Sequence, residues 1–454
     1  MARPRLLVDT GPLRRFPQYR RLWCGFLVST IGNQLTVVAV PFQVYALTRS
    51  SFDVGLVSLA QLGPLLVGAL VGGALADAVD RRRLLVAAQV LLASTSVGLA
   101  LNATSGRPAL WPLFVCSACQ AGFSGVSNPT RTAIVVSVVD RPSLVPANAL
   151  WQALFQFGQI GGPALGGVLI GRLGVGGVYW IDVASYGAAI AFVLRLRLPA
   201  RPAGGPRREL GFRSVAGGLA YLRGHQVLQS VFLVDLNAMV FGMPRALFPA
   251  LGIARFHGGA GTVGLLYAAP GVGALLAALS AGWVASLRRQ GRAVLLAVAA
   301  WGAAIAAFGL VGELWLGLVL LGLAGGADVV SAVLRATILQ TVAPEGLLGR
   351  LQAVQTAVVT GGPRLGDLEA GSVAALAGTE TSVVSGGLLC LAGVVVLARL
   401  LPSFGALELH VRPDVGPAAR GAAAPGAPRT SGDGRTRPAG ADGGAVEGPA
   451  VVEG

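Results

Sequence analysis

Apolar stretches of about twenty residues, the length at which a helix crosses about 30 Å of hydrocarbon, recur along the chain with short polar breaks. The pattern predicts helical spans at 20–47, 54–77, 84–103, 109–138, 146–171, 177–198, 227–254, 262–287, 293–312, 315–342, 349–377 and 382–401. That is a twelve-span, all-α membrane protein. Between the sixth and seventh spans, Arg201 to Arg223 is rich in Pro, Gly and Arg, which sets a linker at 199–226 between two six-helix halves, 20–198 and 227–402. Residues 1–19 form a polar leading segment. From 403 to 454 the chain is mostly Gly, Ala, Pro and Arg with scattered acids, and such a composition is expected to stay disordered.

Composition strengthens this picture. Of 454 residues 54% are apolar and only 12% charged, and a mean hydropathy of +0.69 over that length exceeds what a water-soluble core can hide. All 35 basic residues are arginine. Without lysine there is no phosphate-binding Gly-Lys-Ser loop, no Schiff-base lysine and no kinase-type lysine. His-Glu-x-x-His and Gly-x-Ser-x-Gly are also absent, so no enzyme is expected. The formal charge of +15 is a topology signal and not a nucleic-acid footprint. Segments that alternate onto one side hold 27 arginines, while the opposite loops hold four, Arg49, Arg107, Arg172 and Arg255. Short cytoplasmic loops retain positive charge, so both termini are expected in the cytoplasm of a bacterium, with the spans in its plasma (inner) membrane. The first residues lack a small-residue cleavage site, and no removable signal peptide is expected. Cys24, Cys116, Cys119 and Cys390 all fall in apolar segments; Cys116-x-x-Cys119 has no second pair and His225, His257 and His410 are scattered, so neither metal nor cofactor is expected.

The halves repeat. Gly161-Gly162-Pro163-Ala164-Leu165-Gly166 in the fifth span returns as Gly361-Gly362-Pro363-Arg364-Leu365-Gly366 in the eleventh. Gly73-Ala74-Leu75-Ala76-Asp77 before Arg81-Arg82-Arg83 has a weaker echo in Gly282-Trp283-Val284-Ala285-Ser286 before Arg288 and Arg289. Arg131-Thr132-Ala133-Ile134 is echoed by Arg335-Ala336-Thr337-Ile338. In a transporter, such repeats place the binding site between them near the midplane.

With these residues the chain resembles the major facilitator superfamily. Gly73-x-Leu75-Ala76-Asp77-x-x-Asp80-Arg81-Arg82 is similar to its signature between helices 2 and 3, in which glycines let helix 2 pack closely and the acid meets arginines or a helix N-terminus in one conformation only. The superfamily form has Gly where this chain has Asp80. Gly158-x-x-x-Gly162-Pro163-x-x-Gly166-Gly167 fits the motif of the superfamily's antiporters, and its proline and glycines predict a pliable, kinked helix. The usual Arg-x-x-Gln-Gly of the fourth span is half present, as Ser117-x-x-Gln120-Ala121-Gly122. Segments such as Leu247-Phe248-Pro249-Ala250 and Leu339-Gln340-Thr341-Val342-Ala343-Pro344 extend the likeness, over most of 13–402, to the enterobactin-exporter and drug–proton antiporter branch. The resemblance implies two pseudo-symmetric six-helix bundles, a cavity lined by helices 1, 4, 7 and 10 that opens alternately to each side, and a siderophore or drug-like cargo leaving the cytoplasm in exchange for protons. It leaves import of a nutrient, or a non-transporting sensor, as the alternatives.

Charges inside spans are costly unless paired or wetted, and mark function by default. Asp235, Asp328 and Asp367 are the proton-coupling candidates. Asn33, Gln34 and Gln43 of the first span, Gln120 and Asn128 of the fourth, and Asn237, Arg245 and Arg335 are candidates for the cargo cavity. Gly73, Asp77, Arg81, Arg82, Arg131 and Arg364, with Gly158, Gly162, Pro163, Gly166 and Gly167, are the candidates for gating. Asp328 and Arg335 are seven apart and Arg364 and Asp367 three apart, so each pair shares a helix face and can instead be a fixed ion pair; Glu369 fits that bland role better still. The partners implied are a small molecule, protons and lipid, with a single chain as the expected unit.

Overall fold

Capping residues sit where the hydrophobic runs break. Helix α1 (Pro17–Thr48) opens on a proline and ends at Arg49 in the left-handed region, φ 56°. Ser50 then accepts the Asp53 N–H at 3.2 Å to start α2 (Ser51–Ala78). Asp80 accepts the Arg83 N–H at 2.8 Å and starts α3 (Arg81–Thr104). Its φ of −60° needs no glycine, so the departure from the superfamily signature supplies an N-cap and leaves the turn intact. Next come α4 (Trp111–Val138) and α5 (Leu144–Leu194), then, after Phe212–Leu222, α6 (Gln226–Phe241), α7 (Ala260–Ser280), α8 (Gln290–Leu310), α9 (Leu314–Val342), α10 (Leu348–Ala377) and α11 (Thr379–Leu400). This computed structural model describes residues 9–198, 212–280, 287–344 and 347–407, without the side chains of Asp77 and 211–216. The tail from 408, most of the linker and the Gly282–Ser286 echo lie outside the described residues.

Among those residues nine helical segments are long and apolar enough to cross a membrane. α4 and α10 are as long but fall outside the nine, because polar positions such as Gln120, Asn128, Thr360 and Asp367 interrupt them. The outward faces are greasy, with Leu279 79% and Leu376 90% exposed. Such surface belongs in lipid, and the protein is an all-α, multi-pass membrane protein.

The fifth and sixth spans are two helices that meet directly at Gly174 (φ 70°), and the kink expected at Pro163 is not seen, since helical geometry is left at Gly174. The seventh span is broken after Phe241: a 3-10 turn at Arg245–Leu247, a short helix Phe248–Ala250 and a π turn Leu251–Arg255 replace one rod. Pro244 and Pro249 remove backbone donors there. The Trp301 indole N–H meets the Gly242 carbonyl at 2.6 Å, so the break leaves that acceptor satisfied.

The repeat reappears as packing. α1 lies on α5 as α6 lies on α10, and α2 on α4 as α7 on α9. A methyl on Gly125 would stand 2.6 Å from the Leu65 carbonyl of α2, and one on Gly325 would run into the Pro270 carbonyl of α7. Across the halves, α2 meets α10 and α5 meets α7.

The α4–α5 connection carries a pH-sensitive cap. Asp140 accepts the Ser143 N–H at 3.1 Å and pairs with Arg15 at 3.4 Å. Hydrogen bonds from Ser143, then the Arg15 charge, hold its carboxyl below the ordinary 3.8. A depressed pKa means that the cap's contribution is full above that value and is lost as pH falls through it. We expect Asp140→Ala to lower the thermal unfolding temperature at neutral pH. The gap to wild type should close in acid, when both are followed by unfolding in detergent across pH.

Candidate functional site

A cavity of about 760 Å³ lies between the halves. One wall is apolar, with Val54, Val57, Leu65, Leu66 and Leu70 of α2; the others carry Asn33 and Thr36 of α1, Ser117, Gln120 and Asn128 of α4, and Thr356, Thr360, Arg364 and Asp367 of α10. The broken seventh span contributes Arg245 and Ala246, and α7 contributes Tyr267. Non-helical backbone at membrane depth is tolerated where it lines such a space. Arg245 and Tyr267 also line a second cavity of about 160 Å³, which contains Asp328. α9 thus reaches the second cavity and not the main one, and the walls of the main one come largely from α1, α2, α4 and α10.

One end of the main cavity is shut by two seams of close backbone contact. In the α2–α10 seam a methyl on Gly55 would meet the Asp367 carbonyl at 2.5 Å, and one on Gly371 the Ser51 carbonyl at 2.6 Å. In the α5–α7 seam a methyl on Gly167 would meet the Ala260 carbonyl, and one on Gly264 the Pro163 carbonyl, each at 2.5 Å. The lining continues from this shut end to Gly73, Pro129 and Ala353, toward the ends of the helices that join the arginine-rich loops.

Charged side chains tie the shut end together. Asp367 accepts from the Ser58 hydroxyl of α2 and from the Ala246 N–H at 3.0 Å, joining α10, α2 and the broken span. Arg364 donates to Gln61 of α2. The i, i+3 spacing of Arg364 and Asp367 makes them electrostatic neighbours but not an ion pair: side-chain hydrogen bonds of each reach across to α2. In the C-terminal half Arg335 pairs with Asp235, which is 0% exposed, and lies 3.9 Å from Asp328. Gln355 donates to Asp235 at 3.0 Å. Two carboxylates face the Arg335 guanidinium, and Arg245, which lines the same small cavity as Asp328, adds a second positive charge nearby.

The remaining candidates fall into place as follows. Gln34 packs on Gly162 and donates to Gln159 at 3.3 Å, and Gln43 accepts the Tyr179 hydroxyl at 2.9 Å, both off the main cavity. Asn237 donates to the Cys390 carbonyl at 2.9 Å and so ties α6 to α11. Gly158, Gly162 and Gly166 form the face of α5 against α1, while Gly167 and the Pro163 carbonyl face α7. Arg81 donates to the Ala133 carbonyl at 3.0 Å and Arg82 to the carbonyls of Val193 and Leu194, placing guanidinium charge near the C-terminal ends of α4 and α5. Arg131 lies over the rings of Trp151, at 3.7 Å, and Phe26, at 4.6 Å. Gly73 lines the cavity. Ser58, Gln61 and Thr36 were not singled out from sequence. Ser58 and Gln61, three apart in an apolar span, had the spacing of a shared polar face.

Helices of this length, paired in repeat around a cavity shut at one end, are those of a membrane transporter. The chain matches the family described as transmembrane secretion effector over residues 9–417, and it belongs to that family of the major facilitator superfamily. It is similar to the enterobactin exporter EntS of Citrobacter koseri, at 31% identity over 402 residues, covering 88% of this chain and 96% of that protein. Among solved structures it superposes on a variant of the nucleoside transporter NupG with TM-score 0.68 at 12% identity, covering 85% of this chain and 99% of that one. A bacterial homologue of the lysosomal transporter Spinster, described as inward-facing and unoccupied, gives TM-score 0.62 at 15% identity, covering 88% and 97%. These likenesses define a secondary active transporter of a small molecule and not an enzyme.

Proposed function

We propose that the protein exports a small amphipathic molecule, a siderophore, drug or secondary metabolite, from the bacterial cytoplasm by proton antiport with alternating access. The observation that carries this reading is a mostly apolar cavity bounded at one end by close backbone seams, with Asp367 in its wall bonded across one of them. Its spans are twelve, in two six-helix bundles, with Gly174 as the hairpin between the fifth and sixth and both termini in the cytoplasm. On that orientation the shut end is external and the open end admits cargo from inside. Apolar surface on α2 takes the greasy part of the cargo, and Arg245, with no carboxylate oxygen within 4 Å among the described residues, takes an anionic or oxygen-rich part. The antiporter-type motif of α5 and the similarity to an exporter support the outward direction.

Coupling needs a carboxylate that both a proton and the cargo can influence. Asp328 is 31% exposed, lines the second cavity and shares Arg335 with Asp235, and Asp367 holds the external seam. A proton on Asp328 leaves Arg335 to Asp235 alone; a proton on Asp367 weakens its hold on Ser58 and Ala246 and loosens the external end. Asp235, wholly buried and paired, anchors Arg335.

Everted vesicles loaded with enterobactin outside, under an imposed pH gradient, test the reading. Wild type is expected to accumulate it, and Asp328→Asn and Asp367→Asn each to lose gradient-driven accumulation by about tenfold or more, as expected for removal of a proton-transferring group. Accumulation in the opposite direction rejects export, and unchanged gradient dependence in both variants rejects these carboxylates as carriers.

A further inference from the structure

One buried acid lies outside everything above. Asp182, on the second arm of α5, is 0% exposed, and among the described residues no ion pair reaches it. Its Oδ2 accepts the Thr36 hydroxyl at 2.9 Å and the Ser96 hydroxyl at 2.7 Å. Ser185 donates to its backbone carbonyl at 2.7 Å and lies 3.4 Å from Oδ1. Gly32 of α1 leaves the space: a methyl there would stand 2.6 Å from Oδ1.

We propose that Asp182 is a proton-binding site of the transport cycle, placed behind the N-terminal wall of the cavity and reached through Thr36. This rests on the proton-antiport reading and adds a further carrier to Asp328 and Asp367, in the half that held no proton-coupling candidate.

Both protonation states find partners in this geometry. The carboxylate accepts from Thr36 and Ser96. When a proton adds to Oδ1, the new O–H donates to Ser185 Oγ, whose own hydrogen stays on the Asp182 carbonyl, and the two bonds to Oδ2 persist. A purely structural acceptor needs no such provision, and an asparagine would fill it without placing a charge in the membrane. The route is short. Thr36 lines the cavity, so a proton from cavity water adds to Oγ1 while the Thr36 hydroxyl proton passes to the facing carboxyl oxygen, and one proton enters for one delivered; rotation of the carboxyl about Cβ–Cγ then turns the new O–H toward Ser185 and the bare oxygen toward Thr36 and Ser96. Gln120, also in the wall, donates to Ser96 at 3.4 Å and links cargo contact to the same carboxyl.

Nothing charged nearby competes for the role. α1 has no charged residue between Arg21 and Arg49, and α3 none after Arg83. On α4 the charged residue is Arg131, committed to Trp151 and Phe26, and Cys116 is the titratable group near Tyr179. On its own arm Asp182 is flanked by the phenols of Tyr179 and Tyr186. The site is therefore neutral with the proton and carries one uncompensated negative charge without it.

Infrared difference spectra of the full-length protein in liposomes, taken between alkaline and acid buffer with no cargo present, test this. We expect a protonated-carboxyl C=O band in wild type that Asp182→Asn abolishes and Asp328→Asn retains. Thr36→Val, which keeps the carboxyl and removes one hydrogen bond, is expected to shift that band, and it decides the matter if Asp182→Asn does not fold. A wild-type spectrum retained in Asp182→Asn, or a band unmoved by Thr36→Val, overturns the proposal. The parent reading fails separately, by absence of gradient-driven transport in wild-type vesicles, which these spectra do not measure.

Discussion

Arg335→Met is expected to destabilise the protein by about 3–5 kcal/mol, the usual cost of stranding buried charge by removing its partner. Arg335 stands between Asp235 and Asp328 and also donates to the Ser331 carbonyl at 3.3 Å. Methionine matches its length but supplies no charge, so two acids face each other in a low-dielectric setting with Gln355 as the remaining neutral donor to Asp235. The measurement is thermal unfolding in detergent, with Arg335→Met/Asp235→Asn as the paired variant. Restoration of most of the loss in the double variant is the signature of an uncompensated charge. Wild-type stability in the single variant would mean that water or Arg245, which lines the same small cavity as Asp328, compensates the two acids.

Gly264→Val is expected to prevent closure of the external end. The added carbon would meet the Pro163 carbonyl at 2.5 Å and the Gly167 backbone at 2.9–3.0 Å, and backbone atoms of a packed helix cannot step aside as a side-chain tip does. Alternating access needs this seam to form and part in each cycle, so holding it apart shifts the population toward the externally open state. Export should fall about tenfold or more, which corresponds to a bias of about 1.4 kcal/mol or greater between the two states. A cysteine placed at Ser51 should become reactive to an impermeant maleimide added outside. Gly171→Ala is the control, on the same helix as Gly167 but with nothing within 4 Å of the added methyl. Equal export in wild type and Gly264→Val would show that this contact is not part of the cycle.

The two seams and the charged contacts across them occupy the same end of the molecule. Asp367 takes part in both: its carboxylate holds Ser58, and its backbone carbonyl lies where a methyl on Gly55 would fall. On the proposed proton-coupled reading, a proton there would act on hydrogen bonding and close packing together.

The alternation of apolar runs and arginine-rich breaks determined most of the architecture, because a backbone in lipid must satisfy its own hydrogen bonds and a span therefore has a fixed length. The ends of α1 to α4 and α8 to α11, the repeat between the fifth and eleventh spans and the likeness to a transporter family were legible from it. So was the presence of ionisable groups in the spans, since each stands out against an apolar background. Their partners were not. Spacing along one helix placed Arg364 beside Asp367, whereas packing of α10 on α2 gave them Gln61 and Ser58, some three hundred positions away in the chain. Asp182 stands in an apolar span as plainly as Asp235 does, yet its meaning comes from Thr36 and Ser96 on two other helices and from the space left by Gly32. The break after Phe241 likewise needed Trp301 to satisfy it. A side chain's identity and its cost in lipid are properties of the chain itself; what pairs with it depends on which helices meet and at what height, and only the tertiary structure decides that.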